Sequence, residues 1–119
     1  MIIHSYKDLT VWKRAMELVM AIYELTENFP KSEQYGLTSQ MRRAVISIPS
    51  NIAEGRRRGH RKEFIQFLSN AYGSGAELET QIEIAKQLSE TKGLNYKRVE
   101  SILEEVMKML NTIIRNLKS

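Results

Sequence analysis

Seven cations fall between residues 42 and 62 of this chain, and a single carboxylate answers them. Arg42, Arg43, Arg56, Arg57, Arg58, Arg61 and Lys62 stand against Glu54 alone, a local net charge of +6, while the rest of the 119 residues carries a net −2. The overall charge of +4 is therefore one concentrated source, able to set up a local potential that an even spread would not. Arg56, Arg57, Arg58, His60, Arg61 and Lys62 crowd a glycine turn. The chemistry this suits is recognition of an anion. Arginine's planar fork matches phosphate oxygens, and such contacts give affinity without reading base sequence. Arg42, Arg56, Arg57, Arg58, His60, Arg61 and Lys62 are thus the candidate nucleic-acid-binding residues. A docking site for an acidic protein and a merely solvated turn are the two other readings of the same block. The dipole at the end of the preceding helix favours arginine, but the start of the next helix disfavours it, and neither needs five cations.

Just upstream lies a second pattern. Gln40, Arg43, Ser47, Asn51 and Glu54 recur at spacings of 3, 4, 4 and 3, which on a helix is one stripe. Ser74, Glu77 and Gln81 offer a matching set further on. Short amides and a hydroxyl suit an interior or a subunit interface. Buried Arg and Glu are tolerated there only when paired, so Arg43 is expected to bridge to Glu77 or Glu54 in a structural polar network. The alternative, a solvated outer face, is ordinarily a mixture of Lys and Glu with long stems.

Catalysis finds little support. Ser47 has no histidine within helical reach, and Glu54 and Glu77 lack the Glu-x-x-His pattern of bundle di-metal sites. Cysteine is absent, and His4 and His60 show no ligand spacing. No enzyme activity, no metal and no cofactor are expected. Met16, Tyr23, Phe64 and Met107 fit a core better than a cofactor box. No base-reading motif is present either.

Four stretches must position these residues. Leu9, Trp12, Met16, Val19, Tyr23 and Thr26 step by 3 and 4 and predict a first helix, capped by Ser5 or Asp8 and ended at Phe29-Pro30. Leu37, Met41, Ala44 or Val45, Ile48 and Ile52 predict a second, with Ser32 as its cap. Phe64, Leu68, Ala71, Gly75, Leu78, Ile82, Ala85 and Leu88 predict a third, and Val99, Ile102, Val106, Leu110, Ile113 and Leu117 a fourth, capped by Asn95. Short joints make this an all-α, antiparallel, up-down-up-down four-helix bundle, a single domain over residues 1–119. Pro49 is expected to kink the second helix, unless the helix ends at Ile48 and restarts. Gly73-Ser74-Gly75 lets another backbone approach, naturally that of the second helix, or is simply slack in the bundle. Val11, Ile22, Phe67 and Ile114 fall outside these seams, and such apolar surface is best covered by another subunit. The N-terminus lacks a basic head and apolar run, and no stretch approaches roughly 18 apolar residues, so a cytoplasmic protein with no membrane partner is expected.

With these residues in place, the chain resembles the bacterial four-helix-bundle proteins encoded in intervening sequences of 23S ribosomal RNA genes. The likeness rests on Tyr6-x-Asp8-Leu9-x-Val11-Trp12-Lys13, Phe29-Pro30-x-x-Glu33-x-Tyr35-Gly36-Leu37, and Gln40-Met41-Arg42-Arg43-Ala44-x-x-Ser47-Ile48-Pro49-x-Asn51-Ile52-Ala53-Glu54-Gly55. It continues in Glu63-Phe64-x-x-Phe67-Leu68 and Gly73-Ser74-x-x-Glu77-Leu78-Glu79-Thr80. The resemblance implies a left-handed bundle that assembles into a homopentameric ring. The chain is similar also to the accessory variability protein of diversity-generating retroelements, a pentameric barrel that binds nucleic acid and a reverse transcriptase. That likeness implies a reverse-transcriptase partner, to which no residue here points by itself. The expected function is a homo-oligomeric scaffold, self-associating and holding RNA or DNA at the basic joint. The alternative is a scaffold that docks an acidic protein.

Overall fold

A computed structural model describes residues 5–119 and shows four helices, with no strand among the described residues. His4 lies outside them. The helices are α1 (Thr10–Thr26), α2 (Leu37–Arg58), α3 (Arg61–Ala85) and α4 (Lys97–Lys118), with single 3-10 turns at Tyr6–Asp8 and Lys31–Glu33. Their ends follow local chemistry. The Ser5 hydroxyl accepts from the Lys7 N–H at 3.1 Å and caps the 3-10 turn Tyr6–Asp8, whereas α1 starts after Leu9 with no side-chain cap, so neither Ser5 nor Asp8 caps it. Ser32 does not cap α2. It falls inside the 3-10 turn, and the Glu33 carboxylate reaches the Leu37 N–H instead, at 2.9 Å. Gly59, at φ 74°, ends α2 in the left-handed region that glycine adopts without strain. Asn95 Oδ1 accepts from the Lys97 N–H at 3.0 Å, at the start of α4 as expected. The α3–α4 joint is locked from within: the buried Thr91 hydroxyl donates to Ala85 O, and the Tyr96 hydroxyl donates to Thr91 O. That lock ends α3 at Ala85, before Leu88, which is exposed.

The helices touch in a cycle, α1 with α2, α2 with α3, α3 with α4 and α4 with α1, and the α2–α3 contact is the most extensive. Ser47 meets Ser74, and Gly55 meets Phe67, so residue numbers fall along α3 as they rise along α2. The particle measures 46 × 22 × 22 Å. Along α2 the expected seam is the observed core, with Leu37, Met41, Ala44, Val45, Ile48 and Ile52 all buried. α2 runs unbroken through Pro49, so no restart follows Ile48. The seams of α3 and α4 also lie inward through Leu68, Ala71, Leu78 and Ile82, and through Val99, Ile102, Val106 and Leu110.

α1 departs from expectation. Its buried stripe is Val11, Ala15, Leu18, Ile22 and Leu25, which includes two residues expected outside the core; Val11 is 2% exposed and Ile22 0%. Phe67 and Ile114 are half-buried. Of the stripe expected inside, Thr26 is buried, but Leu9, Trp12, Met16, Val19 and Tyr23 are half-buried or exposed. Both stripes step by 3 and 4, so periodicity fits either. The outer one finds local cover: the Tyr6 ring packs edge-on against Trp12 at 5.4 Å, and the Arg42 guanidinium lies 4.4 Å from the Tyr23 ring centroid.

The glycines also sort differently. Ser74 faces α2, but Gly75 packs against the Met107 sulfur of α4, and Gly73 has nothing close to it. The close approach of α2 and α3 is made at Gly55, where an added Cβ would stand 2.6 Å from Phe67 Cβ and 3.2 Å from the Phe64 ring. A Cβ is fixed to its backbone and cannot step aside. Gly55→Ala is therefore expected to destabilise the fold by about 1–3 kcal/mol despite its better helix propensity. Gly73→Ala, in open space, is expected to stabilise it by up to about 1 kcal/mol. Chemical denaturation of both variants checks the pair, and equal shifts would refute the packing account.

Candidate nucleic-acid interface

The turn between α2 and α3 brings most of the basic block to one end of the bundle. Arg57, Arg58, His60, Arg61 and Lys62 are exposed, and Arg56 is half-buried. Their engagements differ. Arg57 lies over the Tyr6 ring, 5.8 Å from its centroid. Arg58 bridges Glu54 at 2.9 Å and Glu63 at 3.4 Å, and sits 5.1 Å from the Phe67 ring centroid. The hydrogen bond to Glu54 holds its guanidinium above the ordinary arginine pKa, with Glu63 adding to the effect. Arg61 Nε donates to Leu117 O at 2.6 Å, and its Nη2 donates to Leu117 O and to Ser119 O. This arginine therefore ties the start of α3 to the last carbonyls of α4. Glu63 and these α4 carbonyls were absent from the sequence-based site. Glu63 alone left a signal, a carboxylate one residue after Lys62 in an otherwise basic run.

Between the two helices lies a shallow pocket of about 180 Å³ lined by Gly55, Arg56, Gly59, His60, Arg61 and Phe64. It opens at the N-terminus of α3, whose N-cap His60 makes no side-chain capping bond. The first N–H groups of any helix lack intrahelical acceptors, and the helix dipole adds partial positive charge there. α3 is 25 residues long. Arg56, His60 and Arg61 thus line a small opening at a helix N-terminus, a position that in general suits an anion such as a phosphate group.

Arg42 is not part of it. It lies about 24 Å along α2 from Arg58 at 1.5 Å per residue. Its Nε donates to Thr26 Oγ1 at 2.9 Å, its Nη2 reaches Tyr23 O, and it is half-buried. It clamps α2 to α1. The polar network is also smaller than expected. Ser47 Oγ lies 2.9 Å from Ser74 Oγ, and Asn51 Nδ2 donates to Ser47 O and Ser47 Oγ. Gln40, Arg43, Glu54 and Glu77 are exposed, and Arg43 makes no ion pair among the described residues. Glu54 has gone to Arg58, and Arg43 and Glu77, both exposed, line one depression without pairing. Gln81 is buried, with its Oε1 unpartnered. Towards the other end of the bundle, Glu79, Glu83, Glu100 and Glu104 line an α3–α4 groove of about 450 Å³, and Lys86 bridges Glu83 and Glu100. Among the described residues, no cluster of His, Asp and Glu is placed to hold a metal ion, and no helix is long and apolar enough to cross a membrane.

Comparison with known proteins agrees with this fold. The sequence pattern of the 23S rRNA-intervening sequence proteins matches residues 7–112. A crystal structure of a protein of unknown function from the S23 ribosomal protein family of Bacteroides thetaiotaomicron VPI-5482 superposes with a TM-score of 0.73 at 26% identity, covering 88% of this chain and 98% of that one. Among curated proteins, none matches the chain.

The adjacent arginines now carry opposite expectations. Arg42→Met removes charged hydrogen bonds from a half-buried site and is expected to cost about 1.5–3 kcal/mol. Arg43→Met, on the exposed side, is expected to leave the stability of the isolated subunit unchanged within error. Thermal melts of dilute protein decide; a large loss for Arg43→Met would restore the buried ion pair.

Proposed function

We propose that this chain, which belongs to the family of 23S rRNA-intervening sequence proteins, is a cytoplasmic, non-catalytic, homo-oligomeric scaffold that holds the phosphate backbone of RNA or DNA at its basic end. The observation that carries the reading is the uncapped N-terminus of α3, opening between Arg56, His60 and Arg61. A helix N-terminus favours an anion, and three of the six residues lining this one are Arg or His. Exposed Lys62 and Arg57 extend the positive surface beyond the pocket. Nothing in it reads bases, so affinity is expected to depend on salt and hardly on sequence.

One subunit offers few contacts. Assembly, pentameric as the sequence resemblance implies, presents several basic ends together, and linked weak contacts gain through effective concentration. The same surface fits an acidic protein, and the salt-dependence experiment separates the two ligands.

Replacing Arg57 and Lys62 together with Gln removes two exposed charges while sparing Arg58 and Arg61, which hold structure. Anisotropy titrations with structured RNA and with duplex DNA across a salt series are expected to show weaker binding for every sequence. The salt slope on duplex DNA is expected to drop by up to ~0.9 per lost contact. Arg42→Gln is expected to leave the slope unchanged. No binding of either nucleic acid by the wild-type protein at low salt would remove this function and leave the acidic-protein reading.

A further inference from the structure

We propose that the basic end engages an unpaired nucleic-acid strand, with a nucleobase stacked on Arg57 where that side chain rests on the Tyr6 ring. The inference rests on the backbone-binding function proposed above and names the class of nucleic acid that this end takes. The arginines there are held in different ways. Arg58 is spent on the carboxylates of Glu54 and Glu63, and Arg61 on the carbonyls that end α4. Arg57 makes no hydrogen bond or ion pair among the described residues, and its guanidinium lies over the Tyr6 ring, 5.8 Å from the centroid.

The ring beneath it is fixed by its surroundings. Tyr6 belongs to the 3-10 turn that Ser5 caps, and this turn packs against both α1 and α2. The ring also meets Trp12 edge-on at 5.4 Å. Tyr6 and Trp12 are half-buried, whereas Arg57 is exposed. An arginine free in water loses much rotamer freedom on binding, but one already held by a cation–π contact loses less. A flat group can add to the open side of Arg57, placing ring, cation and ligand in one stack.

A nucleobase is such a group, and its faces are open only when it is unpaired. In a duplex they are spent on the neighbouring base pairs, so a duplex offers this site phosphates alone. Exposed Lys7 and Lys13 each directly follow one of the two aromatic residues, and they outnumber Asp8, the carboxylate of the turn. Cations interleaved with aromatic rings are the make-up of surfaces that follow a single strand. Every base has a face to stack, so the contact selects unpaired strands and no particular sequence.

The test compares an oligothymidylate of about 15 nucleotides with an abasic strand carrying the same number of phosphates, and with a duplex. Anisotropy gives the affinities. Trp12, the sole tryptophan of the chain, lies against Tyr6 and reports occupancy of the site by its emission. Wild type is expected to bind the oligothymidylate at least about fivefold tighter than the abasic strand, with a change in Trp12 emission. Arg57→Lys keeps the charge but loses the plane. It is expected to abolish that advantage and to leave affinity for the abasic strand and the duplex unchanged. Equal binding of both strands by wild type would overturn the stacking and leave the backbone-binding function standing. Binding of no nucleic acid at all would overturn both. An advantage that survives Arg57→Lys, or an equal loss on the duplex, would also overturn the proposal, because Arg57 would then not be the stacking partner. So would unfolding of Arg57→Lys by circular dichroism, since the side chain would then serve the fold.

Discussion

Everything at the basic end depends on a side chain that is missing. Gly55 lets α2 and α3 close to the point where Phe67 and Phe64 rest on bare backbone. That contact lies one turn before Gly59, whose left-handed conformation reverses the chain, and α3 begins only two residues later. A wider separation would need a longer joint, and His60 and Arg61 would no longer share a pocket with Arg56. The arginine at 61 adds the fourth helix to the same corner through the carbonyls of Leu117 and Ser119. Tight packing and positive charge are thus one construction: the aromatic rings of α3 fill the space beneath the cations, and Arg58 covers Phe67 from outside.

The sequence carried α2, α3 and α4 clearly, because each has one dominant apolar line. α1 has two apolar lines, and choosing between them needs the neighbours. Ala15 and Ala21 mark the buried side, since small residues allow close helix approach, whereas Trp12 and Tyr23 are large and end in polar atoms that sit well at a boundary. The helix ends were legible where a single residue type does the capping, as at Asn95. They were less so at α2, where a glutamate reaches forward across a glycine.

Arg42 and Arg43 show why a cluster in sequence is not a cluster in space. Neighbours on a helix point about 100° apart at 3.6 residues per turn. One of the two goes to α1 and becomes a clamp; the other goes towards α3 and stays wet. Counting both in a local charge excess overstated the basic segment at that end. The residues from 56 onward stay together at one end of the bundle, because a turn gathers side chains that a helix disperses. The polar stripe taught the converse. Its short side chains signalled something other than ordinary surface, but periodicity cannot tell a seam inside one subunit from a face left open beside it.

The acidic groove between α3 and α4 gives the particle a polarity along its length. Glu79 and Glu83 lie about 30 Å along α3 from Arg61 at 1.5 Å per residue, a large part of the 46 Å long axis. Near a polyanion such a body experiences a torque as well as an attraction. The basic end swings forward and the carboxylates trail, so encounters begin already oriented, and a strand lying along the α3–α4 flank is pushed away. Orientation before contact raises the fraction of productive collisions without adding a single bond, and it fades as salt shortens the reach of the field.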